Sequence, residues 1–278
     1  MRYREVLEEI GKLPTERKEY DLSSLSPDEV FDLSVEENVL ALLKAREVRR
    51  EVIRLAEWWA ETLSGGGKVV MVGAGTSGRL AIMEAAEMYP TFGIPRDRVV
   101  GVIAGGRGSV FASREGAEDV ESEGKRAISR ARVGRGDLAI GLSASGRTPY
   151  VRGALKRARE RGSRTALITT NPCEAVSIEA DIRVCVPVGA EILPGSTRMK
   201  SATVQKVLLN TVSLIGAVLM GKVERGRMVD MVPTSEKLKA RAILTLMEEF
   251  GIEEREAEAV LKSVGWSLKE AFRRLTNP

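Results

Sequence analysis

The sequence predicts an α/β fold, with a central, mostly parallel five-stranded sheet layered between helices and a small helical appendage after it. Three observations predict it. Short apolar runs rich in Val and Ile recur between Lys68 and Gly189, each ending in Gly, Ser, Thr or Asn and its neighbours. Segments with helical spacing separate them, so strands and helices alternate as in a doubly wound sheet. Beyond Val232-Pro233 only helical periods remain.

In chain order, Val39, Leu42, Leu43, Val48, Val52, Ile53, Leu55 and Trp59 fall at roughly helical spacing and predict one long amphipathic helix over Val35 to Leu63. Gly65-Gly66-Gly67 stops it. The runs KVVMVGAG, RVVGVIAGG, DLAIGLSASG, RTALITTNP and DIRVCVPVG predict five buried strands. Helices are expected between them at Gly78 to Met88, Glu115 to Arg130 and Tyr150 to Arg161. Right-handed crossovers then place the strand-to-helix loops on one edge of the sheet. A last helix, Ser201 to Met220, follows the loop GAEILPGSTRMK. Its apolar run from Val207 is interrupted by Asn210, Thr211 and Ser213 and is shorter than the ~18 residues of a membrane span, so it reads as buried. Three helical patterns close the chain, at Ser235 to Phe250, Glu253 to Val264 and Ser267 to Leu275. Their expected core is Leu244, Met247, Val260, Leu261, Trp266, Leu268 and Phe272. The organisation is therefore an amino-terminal helical segment over residues 1–45, a sheet domain over 46–232 and an appendage over 233–278.

The chain has 278 residues, 43% hydrophobic and 29% charged, enough to bury a core and to exclude disorder and fibrous repeats. A net charge of +4 is too small and dispersed to announce a nucleic-acid partner. There is no histidine, which removes the commonest general base and metal ligand. Acid–base chemistry falls to carboxylates, Lys, Tyr or Cys. Cys173 and Cys185 are too few for a disulfide framework or a structural zinc site, and with no histidine to activate a thiolate they read as packing residues in a reducing cytoplasm. The charged amino terminus lacks the apolar region of a secretory signal, so neither export nor a membrane partner is expected.

The loop Gly73-Ala74-Gly75-Thr76-Ser77-Gly78 matches the G-x-G-x-x-G dinucleotide pattern. A dinucleotide site also wants an acid at the end of the second strand, and that strand ends Ile103-Ala104-Gly105-Gly106. The hydroxyls support another reading. Thr76 and Ser77 are matched by Ser143, Ser145 and Thr148 in a second loop and by Ser196 and Thr197 in a third, all expected on one sheet edge. Small hydroxyls and backbone amides at helix N-termini bind a phosphoryl group without a metal. N-capping alone explains any one of these loops; three together point to a phosphorylated small ligand. For proton carriers, Glu84 and Glu87 share one helix face, and Glu115, Glu118 and Asp119 follow the second strand. Two glutamates from different elements can divide acid and base roles, although helical glutamates are more often solvated surface residues.

VGAGTSGRLAIMEAAEMYPTFG, IAGG, REGAEDVE, GLSASGRTPYV, TTNP and GSTRMKSATVQKVLLN resemble the N-acetylmuramic acid 6-phosphate etherase family over nearly the whole chain. Pro14 to Arg17 and Val229 to Val232 also resemble family segments, and the last helices resemble a ubiquitin-associated-like tail. The resemblance implies a three-layer αβα sugar isomerase (SIS) fold, shared with the glucokinase regulatory protein. It implies a carbon–oxygen lyase that removes D-lactate from N-acetylmuramic acid 6-phosphate with no metal or redox cofactor. By the same resemblance, Glu87 is the acid that assists lactate departure and Glu118 the base at C2. Thr76, Ser77, Ser143, Ser145, Thr148, Ser196 and Thr197 would hold the substrate. Beside Glu87 the family pattern Asp-Ala-Ser-Glu, followed by a small residue and two prolines, reads Glu-Ala-Ala-Glu-Met-Tyr-Pro, so Ala86, Met88 and Tyr89 differ.

Two alternatives share this fold, an aldose–ketose phosphosugar isomerase and a non-catalytic phosphosugar-binding regulator. The apolar faces before Gly65 and after Ser201 exceed what one sheet needs as cover, so a homodimer is expected.

Overall fold

The structure is a computed structural model and describes residues 7–276 apart from positions 9 and 234. Residues 1–6 and 9 of the expected amino-terminal segment, and 234, 277 and 278 of the appendage, lie outside the described residues.

Helix α1 spans Pro27–Lys44 and α2 spans Arg49–Ser64. A 3-10 turn, Ala45–Val48, separates them, so the single helix expected over Val35 to Leu63 is two. Ser26 starts α1 through a capping box, its side chain accepting from the Glu29 amide while the Glu29 carboxylate accepts from the Ser26 amide. Helix α2 buries Val52, Leu55, Trp59 and Leu63, the stripe that its spacing foretells.

Five strands follow as expected: β1 (Val69–Gly73), β2 (Val99–Ile103), β3 (Leu138–Leu142), β4 (Arg164–Thr169) and β5 (Ile182–Cys185). They pair in the order β2-β1-β3-β4-β5, and every pair is parallel. Helices α3 (Gly75–Phe92), α4 (Glu121–Arg130), α5 (Pro149–Glu160) and α6 (Lys200–Leu219) cover the two faces. Side chains alternate across the strands with period two. Val69, Met71, Leu138 and Ile140 pack with α2, α3 and α6, whereas Val70, Val72 and Ala139 pack with α4 and α5. This is the three-layer arrangement, and it places the carboxyl ends of β1 and β3 where the chain turns outward in opposite directions. Such a switch point opens a crevice for a ligand.

Local chemistry shifts several element boundaries. The helix expected from Glu115 begins only at Glu121, because Gly116 takes a left-handed φ of +72° and Ala117–Asp119 forms a 3-10 turn. Glu118 therefore stands on a turn rather than a helix. Helix α6 is longer than its apolar run and is long and apolar enough to cross a membrane, but half of that window is buried within the protein. Leu208, Leu209 and Val212 lie in the core beneath it.

After a two-strand antiparallel hairpin, β6 (Val223–Glu224) and β7 (Arg227–Met228), come α7 (Glu236–Phe250), α8 (Glu254–Ser263) and α9 (Leu268–Thr276). These helices share a core in which Leu261, Leu268 and Phe272 are buried and Met247, Val260 and Trp266 are partly so. Leu244, expected in that core, is exposed, because Ala242, Thr245 and Leu246 form the inward stripe of α7.

The cysteines are not merely packing residues: Cys173 and Cys185 are disulfide-bonded. The reason is topological. Cys185 lies beside Thr169 in the β4–β5 register, and the turn after β4 folds Cys173 back to a Cα–Cα distance of 5.5 Å, within bridging range. Two cysteines twelve residues apart carry no such information in sequence.

Candidate active site

The glycines of the β1–α3 loop are required by packing. A Cβ on Gly73 would lie 2.6 Å from the Gly78 nitrogen, and one on Gly78 would lie 2.5 Å from Ile103 Cγ1. That close approach brings the N-terminus of α3 against β1 and β2, so the dinucleotide-like spacing has a structural cause independent of any cofactor. Among the described residues, no group of three or more His, Cys, Asp or Glu side chains is placed to hold a metal.

The second loop, between β3 and α5, is held rigidly. Ser143 Oγ lies 2.8 Å from Thr148 Oγ1 and accepts from the Gly146 amide at 3.1 Å. Ser145 Oγ accepts from the Arg147 amide at 3.2 Å. Below them, the Ala144 carbonyl takes hydrogen bonds from Thr169 Oγ1, Thr170 Oγ1 and Asn171 Nδ2 at 3.0, 3.2 and 2.9 Å. With the Thr170 amide, at 3.2 Å, four donors on one carbonyl fix the peptide plane. The TTNP run thus has a mechanical task, keeping three hydroxyls and the first turn of α5 aimed at one point, where the helix dipole favours an anion.

That point is a pocket of about 310 Å³ at the switch point of the sheet. Ser77, Ser143, Ser145, Thr148, Thr197 and Glu118 line it, so six of the nine expected site residues meet there. Thr76, Ser196 and Glu87 do not line it. A larger cleft of about 820 Å³ lies between β2 and α4 and takes Glu115 and Tyr150, but it gathers none of the hydroxyl loops. The smaller pocket is the one that gathers the hydroxyl loops and Glu118. Arg147 lines it as well, its Nε donating to the Ala175 carbonyl at 2.8 Å. The Ser77 hydroxyl donates to Gln205 Oε1 at 2.8 Å, which ties the first loop to α6.

The third loop meets the pocket through Gly195 and Thr197. Its Lys200 is not available for an anion, because the ammonium is buried in an ion pair with Glu37 and donates to the Ala190 carbonyl at 2.7 Å. Buried Glu191 accepts from the Lys200 and Ser201 amides at 3.0 Å each, capping α6.

The carboxylates separate sharply. Glu118 as a whole residue is exposed, yet protein atoms crowd its carboxyl. Loss of hydration pushes its pKa above the usual carboxylate value, with Asp119 and Glu115 adding to the rise. Asp119 stands beside it in the same wall. Glu84 and Glu87, expected on one face, differ completely. Glu84 is 3% exposed and accepts from Asn210 Nδ2 and Ser213 Oγ of α6. Burial raises its pKa despite those bonds and nearby Lys206. Glu87 is exposed. It lies ten residues beyond Ser77, which lines the pocket from α3, roughly 15 Å along the axis at 1.5 Å per residue, and it does not line the pocket itself.

One wall was not foreseen. Ile10 and Leu13, just before the Pro14–Arg17 segment, and Glu16 within it line the same pocket. The sequence marks that region as a family-like segment without indicating where it folds.

A protein from Symbiobacterium thermophilum named N-acetylmuramic acid 6-phosphate etherase is 41% identical over 95% of this chain and 89% of its own length. One of the same name from Salmonella typhi is 41% identical over 91% of this chain and 85% of its own. The chain belongs to the N-acetylmuramic acid 6-phosphate etherase family. Family models for the glucokinase regulatory protein N-terminal SIS domain and for the SIS domain match residues 51–159 and 112–214. Among solved structures, a phosphoheptose isomerase from Neisseria gonorrhoeae has a TM-score of 0.51 at 18% identity, covering 71% of this chain and all of that one. A protein from E. coli CFT073, solved as a complex, has a TM-score of 0.50 at 20% identity, covering 73% of this chain and 97% of that one. Both similarities establish the SIS fold that the etherase family shares.

Proposed function

We propose that this chain is a carbon–oxygen lyase that cleaves the D-lactyl ether of N-acetylmuramic acid 6-phosphate, giving N-acetylglucosamine 6-phosphate and D-lactate. The observation that carries the reading is the pocket itself, in which a rigid hydroxyl loop at a helix N-terminus faces a carboxylate of raised pKa. The sequence relationship to the etherases supplies the substrate.

The mechanism follows from what each group can do. Ser143, Ser145 and Thr148 donate to the phosphate, with Ser77 and Thr197 closing the pocket and Thr76 and Ser196 supporting their loops. Anchoring the phosphate places the sugar's other end over Glu118. In the open-chain sugar the aldehyde acidifies the C2 proton, and Glu118 removes it. The lactyl oxygen leaves C3 with a proton from an acid; Glu118 then gives the C2 proton to solvent, and its carboxylate activates a water whose hydroxyl adds at C3 of the unsaturated intermediate while its proton passes through Glu118 to C2. Each step moves a proton, and the chain's own residues carry it.

Glu87 is the proposed acid, and it acts from a second copy of the chain. Phe31, Val35, Val39 and Leu43 on α1 and Val207, Leu214 and Val218 on α6 are exposed apolar residues on helices that pack against one another, with Met83 nearby on α3. Exposed apolar residues on packed helices are what a symmetric dimer covers. Glu87 stands on α3 one turn beyond Met83. The working unit is a homodimer, without a nucleic-acid or membrane partner. Its chain divides into residues 1–45, the catalytic domain 46–232 and the appendage 233–278.

The test is direct. Purified protein incubated with a panel of 6-phosphosugars is expected to release lactate from N-acetylmuramic acid 6-phosphate and to leave aldose–ketose ratios of the others unchanged. Isomerisation without lactate would assign it to the isomerase alternative, and tight binding without turnover to a regulator.

A further inference from the structure

The Leu13–Glu16 wall has no task in the mechanism above. Leu13 and Thr15 are 4% and 1% exposed, which pins the segment at two points, and the Gly195 amide donates to the Thr15 carbonyl at 3.0 Å. Glu16 ends the 3-10 turn Pro14–Glu16 and lines the same pocket as Glu118 and the hydroxyl loop. Its Oε2 lies 2.8 Å from where a Cβ on Gly195 would sit, so the strap and the third loop meet at this carboxylate, and Gly195, at φ +75°, is the residue that leaves room for it.

The Glu16 carboxylate is half-buried and has no hydrogen-bond or ion-pair partner among the described residues, and burial alone raises its pKa. Glu37, also in the amino-terminal region, is paired with Lys200 and hydrogen-bonded to Tyr20. An unpaired carboxylate lining a pocket keeps its acceptor oxygens open to a ligand that brings a donor. An ionised carboxylate only accepts, so the group it takes is a hydroxyl or an amide N–H. A phosphate or a lactyl carboxylate would be repelled.

We propose that Glu16 is a substrate-contacting residue that accepts a hydrogen bond from a hydroxyl or amide N–H of the sugar, making the Leu13–Glu16 strap the part of the site that selects the sugar rather than its phosphate. This rests on the phosphosugar reading of the pocket. The test is calorimetric titration of the full chain, wild type, Glu16→Gln and Glu16→Ala, with N-acetylglucosamine 6-phosphate and with inorganic phosphate.

Both variants are expected to bind the sugar phosphate at least about tenfold more weakly and inorganic phosphate within about twofold of wild type, as for loss of one charge-assisted hydrogen bond. In turnover, KM rises while kcat is largely kept. Equal weakening of both ligands would show that the strap only shapes the pocket, and unchanged sugar phosphate binding would remove Glu16 from recognition. Either result overturns the proposal. Wild-type protein that binds neither ligand would overturn the phosphosugar reading first.

Discussion

Glu118→Gln is expected to reduce lactate release by about 10²- to 10⁴-fold in kcat, the range for loss of a general base, with the affinity for the sugar phosphate nearly unchanged. The substitution keeps the size and shape of the side chain on the Ala117–Asp119 turn, and the proposed phosphate-binding hydroxyls Ser143 and Thr148 lie on a different loop. The same residue sets the pH dependence. A base works deprotonated, and burial with Asp119 and Glu115 holds its proton to higher pH. kcat/KM is therefore expected to fall as the solution is acidified through a pKa above the ordinary carboxylate range, and to stay flat above it until another group titrates. A rate that rises on acidification there would assign Glu118 the acid's role instead. Steady-state rates across pH, with the thermal midpoint followed in parallel, separate titration of the site from unfolding.

Mixing two inactive proteins is expected to restore activity. Glu87 does not line the pocket of its own chain, so in the proposed homodimer each site would use Glu118 of one protomer and Glu87 of its partner. Glu87→Gln and Glu118→Gln should each be inactive alone. A mixed dimer of the two has one site with both changes and one with neither. Random reassortment makes half of the dimers mixed, so roughly a quarter of the wild-type activity returns after the variants are unfolded and refolded together. No recovery, with mixed dimers confirmed by differently tagged chains, would mean that the two glutamates act within one chain or that Glu87 has no part in the chemistry.

The framework of the site is legible in the sequence because it rests on local rules. Five apolar runs and the helical spacing between them fix a parallel sheet, and a parallel sheet puts its strand-to-helix loops on one edge. Ser143, Ser145 and Thr148 are therefore found where the spacing puts them, with Ser77 and Thr197 beside them. Three-dimensional questions are not legible in this way. Glu84 and Glu87 look equivalent at a spacing of three, and only the packing of α3 on α6 decides that Asn210 and Ser213 sequester the first while the second faces outward. The break at Ala45–Val48 leaves the helical period almost intact, so α1 and α2 read as one helix. The Cys173–Cys185 bond depends on β5 lying next to β4. Glu16 is the clearest case, since contact with Gly195 joins residues with the whole five-stranded sheet between them in sequence, and no local pattern encodes that contact.

Turnover of N-acetylmuramic acid 6-phosphate in deuterium oxide examines the proton transfer at C2 itself. Elimination followed by water addition predicts one deuterium at C2 of the N-acetylglucosamine 6-phosphate for each lactate released, read by mass and proton NMR. Lactate release with the original C2 proton retained throughout would mean direct displacement at the ether, and a base at Glu118 would then have no task.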